Sequence, residues 1–190
     1  SHWTFLARLA ATLLSIFAFG KVFFMVYNRE VMPFSLSDIA SVWLHGFSMD
    51  LSTTGYLVVL PWLLSLVCLW VHHLPFRKVL VPYYILVALV LGLVICGDAF
   101  LYEFWKFKLN AAVFSYMQSA SGTTNSVSPF FLLTRTAAFI MAIGLIGYLL
   151  IRITPSHLSA TAHRIRHSAA MVVLGGLIFL CIRGSIGTST

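Results

Sequence analysis

The sequence predicts an all-α polytopic membrane domain, and three observations predict it. Of 190 residues, 60% are hydrophobic and only 9% charged, against about 25% charged in ordinary soluble domains. Long apolar runs recur along the chain, most of them near the roughly 20 residues that one helical crossing needs. The few basic residues fall between those runs or close to their ends, where positive charge sets orientation in a bilayer. The mean hydropathy is +0.96, more apolar surface than a soluble domain of this size can bury.

Composition also excludes several function classes. The net charge of +7 forms no basic stripe, so contact with membrane phospholipid explains it and nucleic acid is not expected as a partner. Cys68, Cys96 and Cys181 all lie inside apolar runs without a CxxC pair. They read as packing residues and carry no metal-ligand spacing. A cleavable signal peptide is not expected, because the first run is long and no small-x-small site follows it.

The first span is expected at about 9–27, with Arg8 at its start and Lys21 inside it. A lysine at that depth either snorkels to the interface or pairs with an intramembrane acid such as Asp50 or Asp98. After a short polar break, Ser35 and Asp38 make a helix start. Leu36, Ile39, Ala40, Trp43 and Phe47 then share one helical face, and Ser37, Ser41, His45 and Ser48 the other. This pattern predicts an interfacial amphipathic helix over about 36–49, lying flat between the first and second spans. His45, on its polar face, reads as solvated.

The second span is expected at about 51–71, with Asp50 at its N-terminus and Pro61 as a mid-span kink. His72, His73, Arg77 and Lys78 form a basic loop. The third span is expected at about 79–101, with Pro82 near its start, where proline is tolerated. It leads into the stretch that organises the chain, Gly97 to Met117. There Phe100, Tyr102, Glu103, Phe104, Trp105, Lys106, Phe107 and Lys108 interleave aromatics with charge. Such a sequence suits a loop or helix at headgroup depth on the outer face. A small polar segment, QSASGTTNSVS, reads as loop.

The fourth span is expected at about 130–151, with Arg135 a turn and a half inside it. A basic loop with Arg152, Arg164, Arg166, His157, His163 and His167 follows. His163 and His167 have a metal-compatible i,i+4 spacing, but no acid accompanies them and no metal site is assigned. The fifth span is expected at about 168–183, short enough to start within the basic segment, with Gly175 and Gly176 allowing close packing.

With the N-terminus inside, the inner side collects Arg8, Arg77, Lys78, Arg152, Arg164 and Arg166. The outer side collects Arg29, Lys106, Lys108 and Arg183. The inner loops are also nearly free of acids, so the expected orientation is N-terminus in, C-terminus out. Asp50 is expected to cap the second span, where the helix dipole favours an anion. Asp98, nearly a turn inside the third span, is expected to pair with Lys21 or Arg135, or to help hold a lipid headgroup. No carboxylate pair reads as acid–base machinery, and no catalytic residue is assigned.

Three stretches, GFSMDLSTTGY from Gly46, GDAFLYEFWKFKLN from Gly97 and the closing Arg183-Gly184, carry a resemblance. They are similar to the membrane portion of bacterial lipoteichoic acid synthase-like proteins, in the alkaline phosphatase/sulfatase superfamily of phosphoglycerol or phosphoethanolamine transferases. The shared pattern is Gly-x-x-x-Asp before the second span, Asp-x-x-x-Tyr with aromatics after the third, and Arg-Gly after the fifth. The resemblance implies the bacterial cytoplasmic (inner) membrane and a five-helix domain that anchors an extracytoplasmic catalytic domain and presents a donor lipid to it. It implies a threonine nucleophile and a divalent metal (Mn, Mg or Zn) in that catalytic domain, with no cofactor among these 190 residues. Asp50, Asp98, Tyr102, Glu103, Trp105 and Arg183 are the positions matching the membrane-domain pattern. Lys21 and Arg135 are the candidate charge partners. A domain beyond Thr190 is expected on this resemblance. The alternative expectation is a self-contained transporter or channel subunit, with Lys21, Asp98 and Arg135 on a polar path.

Overall fold

The computed structural model describes residues 2–29, 35–71, 74–105, 129–158 and 164–183. They form five helices: α1 (His2–Tyr27), α2 (Leu36–Cys68), α3 (Phe76–Trp105), α4 (Pro129–Ile153) and α5 (Arg164–Arg183). Each carries a stretch long and apolar enough to cross a membrane. Among the described residues there is no strand. In hydrocarbon this is the expected answer, because a helix satisfies its own backbone hydrogen bonds.

Successive helices run in opposite directions. At one end of the bundle, Phe5 of α1 meets Phe76 of α3 edge-on at 5.2 Å, and Trp70 donates to Ser168 of α5 at 3.2 Å. At the other end, Asn28 after α1 donates to the Ala99 carbonyl of α3 at 3.3 Å. The first end carries Arg77, Lys78, Arg152 and Arg166, and is called the basic end below. The second carries Asp38, Asp50, Asp98 and Glu103, and is called the acidic end.

The apolar core is not centred. It is built from Phe5, Leu9 and Leu13 of α1, Phe76, Leu80, Tyr84 and Val87 of α3, and Leu150 of α4, which places it toward the basic end. α3 packs most extensively against α4, and α5 lies along α2. Large apolar side chains such as Phe19, Leu86, Met141 and Phe179 face outward. In water they would be a liability; in lipid they are an ordinary outer surface.

α2 differs most from expectation. An interfacial helix ending near 49 and a span starting at 51 were expected, but Leu36–Cys68 is one helix of 33 residues. Its length is about 50 Å, some 20 Å more than a hydrocarbon core of roughly 30 Å. The amphipathic segment is therefore the first four turns of the spanning helix itself. Nothing between Met49 and Leu51 breaks helical geometry, since neither proline nor glycine occurs there. The start was read correctly: Ser35 accepts from the Asp38 amide at 3.2 Å, and Asp38 accepts from the Ser35 amide at 3.0 Å. This is a capping box.

α2 runs without interruption through Pro61. Proline lacks the N–H that would bond the carbonyl four residues earlier, at Leu57. The Tyr83 hydroxyl of α3 donates to that Leu57 carbonyl at 2.9 Å. A neighbouring helix thus satisfies the backbone group that the proline releases.

Elsewhere the boundaries shift outward. α1 begins at His2 rather than near 9, so Arg8 lies inside the helix with its side chain exposed. α3 starts at Phe76 and runs on to Trp105, and α5 starts at Arg164. The His72–His73 pair, His163 and the aromatic-to-polar connection over 106–128 lie outside the described residues.

Candidate functional site

At the acidic end, α1, α2 and α3 enclose a cavity of about 340 Å³. Each helix contributes one stripe at helical spacing. α1 gives Phe17, Lys21 and Phe24; α3 gives Val94, Asp98 and Tyr102; α2 gives Val42 and Asp50. The walls are mostly apolar, and the polar groups converge from three sides.

Lys21 donates to Asp50 Oδ2 at 2.5 Å, with the two side chains only 17% and 15% exposed. The sequence left Lys21 a choice between snorkelling and an acid partner, and the acid is Asp50. Its ammonium also lies 5.7 Å from the centre of the Trp43 ring. Asp50 is not a helix cap, because α2 began at Leu36, nearly four turns earlier. It is a mid-helix carboxylate held by a cation from the adjacent helix.

The lysine reaches it by crossing α2 over Gly46. A Cβ at Gly46 would stand 2.6 Å from Lys21 Nζ. The glycine one turn before Asp50 clears the path of the lysine across α2. The Gly46-x-x-x-Asp50 spacing thus places both residues on the face of α2 that the lysine crosses. Asp98-x-x-x-Tyr102 is likewise a one-turn pair on one face, and both residues line the same cavity.

Aromatic packing supports this end. Phe24 meets Tyr102 edge-on at 5.2 Å, and Tyr27 meets Phe100 at 5.5 Å. Arg135 of α4 sits over both the Tyr27 and Phe100 rings, 4.9 Å from each centroid. These are favourable cation–π distances, so Arg135 is held against the bundle rather than simply extended outward. Asn28 is fully buried. It donates to the Phe24 and Ala99 carbonyls, and so closes α1 and ties it to α3. The sequence shows only a short polar break after the first span; the role of Asn28 within it is revealed by its burial.

The remaining positions are less central. Arg183 is the exposed last residue of α5. Ser52 donates to the Cys181 carbonyl at 2.9 Å, so that end of α5 arrives beside α2 at the level of Asp50. Glu103 and Trp105 belong to the last turns of α3, and their side chains lie outside the described residues. His45 bonds the Ser41 carbonyl at 3.0 Å on an exposed face. Among the described residues, no three His, Cys, Asp or Glu side chains converge as a metal site.

Chemically, the cavity pairs a cation that has a carboxylate partner with a phenol and long apolar walls. The lysine offers a hydrogen-bond donor at the cavity wall, and the surrounding walls offer apolar surface. Among the described residues, no activated nucleophile lines it. Comparison with protein families, with curated proteins and with solved structures returned no match.

Proposed function

We propose that this five-helix domain is the membrane part of a lipid-headgroup transferase of the sulfatase superfamily, acting on a phosphoglycerol-type donor. In this reading it anchors and orients an extracytoplasmic catalytic domain and presents the donor lipid to it. One observation carries the proposal: Asp50, Asp98 and Tyr102, from the two motifs behind the resemblance, line one cavity, and Gly46 lies against the Lys21 side chain that reaches into it. The divalent metal, Mn, Mg or Zn, belongs to the catalytic domain, as does the bond-breaking chemistry.

The charge distribution supports an orientation in the bacterial cytoplasmic membrane with the N-terminus inside and the C-terminus outside. Arg77, Lys78, Arg152 and Arg166 share the end where α1 begins, the end that positive charge assigns to the cytoplasm. The cavity and the end of α5 then face outward. The extended start of α2 lies at headgroup level on that outer side.

The test is metal-dependent headgroup transfer by the parent protein in proteoliposomes, wild type against Lys21→Met. Transfer by the wild type is expected, with the KM for donor lipid raised at least tenfold in the variant, since a hydrogen bond to a charged group is worth about 1.5–3 kcal/mol. Absence of metal-dependent transfer, or a tag behind Thr190 that proves cytoplasmic, overturns the reading.

A second reading, a transporter or channel subunit, draws on Lys21, Asp50 and Asp98 sharing one cavity. Beyond that cavity, however, the bundle fills with Leu9, Leu13, Val87 and Leu91. Solute flux through the chain alone in proteoliposomes would favour it over the transferase.

A further inference from the structure

The basic end holds a second cavity, of about 260 Å³, where the start of α3 faces the segment after α4. Pro75, Arg77, Lys78, Val81, Ser156 and His157 line it. Arg77 and Lys78 stand in the first turn of α3, which contains no acid. Cations there oppose the positive end of the helix dipole, an arrangement that an anion bound between them relieves. Among the described residues, every carboxylate lies at the opposite end of the bundle, so none competes for these cations.

The cavity also continues into an apolar track. Lys78, Val81, Ile85 and Leu89 follow one another at helical spacing along α3. Ile85 and Leu89 face outward. A headgroup seated against Arg77 and Lys78 would lay its acyl chain down that stripe. Ser156 and His157 close the opposite wall with polar groups suited to phosphate oxygens.

We propose that this cavity is a binding site for the phosphodiester headgroup of an anionic phospholipid. Basic pockets between spanning helices are a known form of lipid recognition, and the apolar track favours a lipid over free phosphate. The site is separate from the acidic-end cavity and does not depend on the transferase reading.

The test uses the full chain in nanodiscs of zwitterionic lipid, titrated with phosphatidylglycerol and read by native mass spectrometry. Arg77→Gln/Lys78→Gln is expected to weaken binding about thirtyfold, and Arg152→Gln/Arg166→Gln, equal in charge but outside the cavity, by less than about fivefold. Equal losses in the two double variants would mean a diffuse surface potential and overturn the site. Displacement of the lipid by millimolar inorganic phosphate would overturn its identification as a lipid site. A His157→Gln variant, far from the helix start in sequence, provides a check that does not perturb α3; loss of at least twofold is expected, and no change counts against the two-walled site.

Discussion

Lys21 shows how one side chain can organise a membrane bundle. Its pairing with Asp50 joins α1 to α2 where hydration is poor, so removing either partner leaves a charge without compensation. Lys21→Met or Asp50→Asn is expected to destabilise the bundle by about 1–3 kcal/mol. The double variant Lys21→Met/Asp50→Leu should cost less than the sum of the single ones, because no orphaned charge remains. Reversible unfolding in mixed micelles measures all three. At the other extreme of chemistry, the adjacent glycines of α5 differ sharply. A Cβ at Gly175 would run into the Trp62 ring, whereas at Gly176 nothing lies within 4 Å. Trp62 is fixed there by its bond to the Met171 carbonyl at 2.9 Å. Gly175→Ala should therefore destabilise by about 1–3 kcal/mol, while Gly176→Ala should be neutral or stabilising by up to about 1 kcal/mol. The same unfolding assay separates them. Sequence reading treated the two glycines alike, since only the neighbour across the interface distinguishes them.

Among the elements, α2 carries the most instructive strain relief. The Leu57 carbonyl loses its helical partner to Pro61 and gains the Tyr83 hydroxyl. Tyr83→Phe should cost about 1–2 kcal/mol in the wild-type background. In a Pro61→Ala background the alanine amide supplies the missing donor, and the same substitution should cost clearly less. A double-mutant cycle in micelles checks this; equal costs in both backgrounds would refute the pairing. The five spans were legible because runs of apolar residues near spanning length have one stable solution in lipid. The start of α2 was legible too, because a capping box is a local signal spanning four residues. Its continuity was not: an amphipathic face argued for a separate surface helix, yet no residue near Asp50 could end helical geometry. The candidate site was half legible. Lys21, Asp50 and Asp98 were singled out as costly polar groups at membrane depth and Tyr102 by the resemblance, but which acid Lys21 would choose depended on how α1 and α2 pack. Asn28 gave no signal at all, because its role rests on burial between α1 and α3.

For the whole molecule, the decisive feature is that packing and polarity are segregated. Phe5, Leu9, Leu80, Tyr84 and Leu150 fill the basic end, while the acidic end holds an open cavity bordered by the Lys21–Asp50 ion pair, aromatic contacts and Asn28. Local stability follows apolar contact density. Hydrogen–deuterium exchange in nanodiscs should therefore reach the amides around Gly20–Val26 well before those around Leu9–Leu13, by at least tenfold in rate. Uniform protection along α1 would contradict this. The off-centre core thus makes the bundle behave like a clothes-peg, gripped at the jaw where α1 begins and free to breathe at the other tip. A guest entering from the side could part the helices at that tip without disturbing the grip.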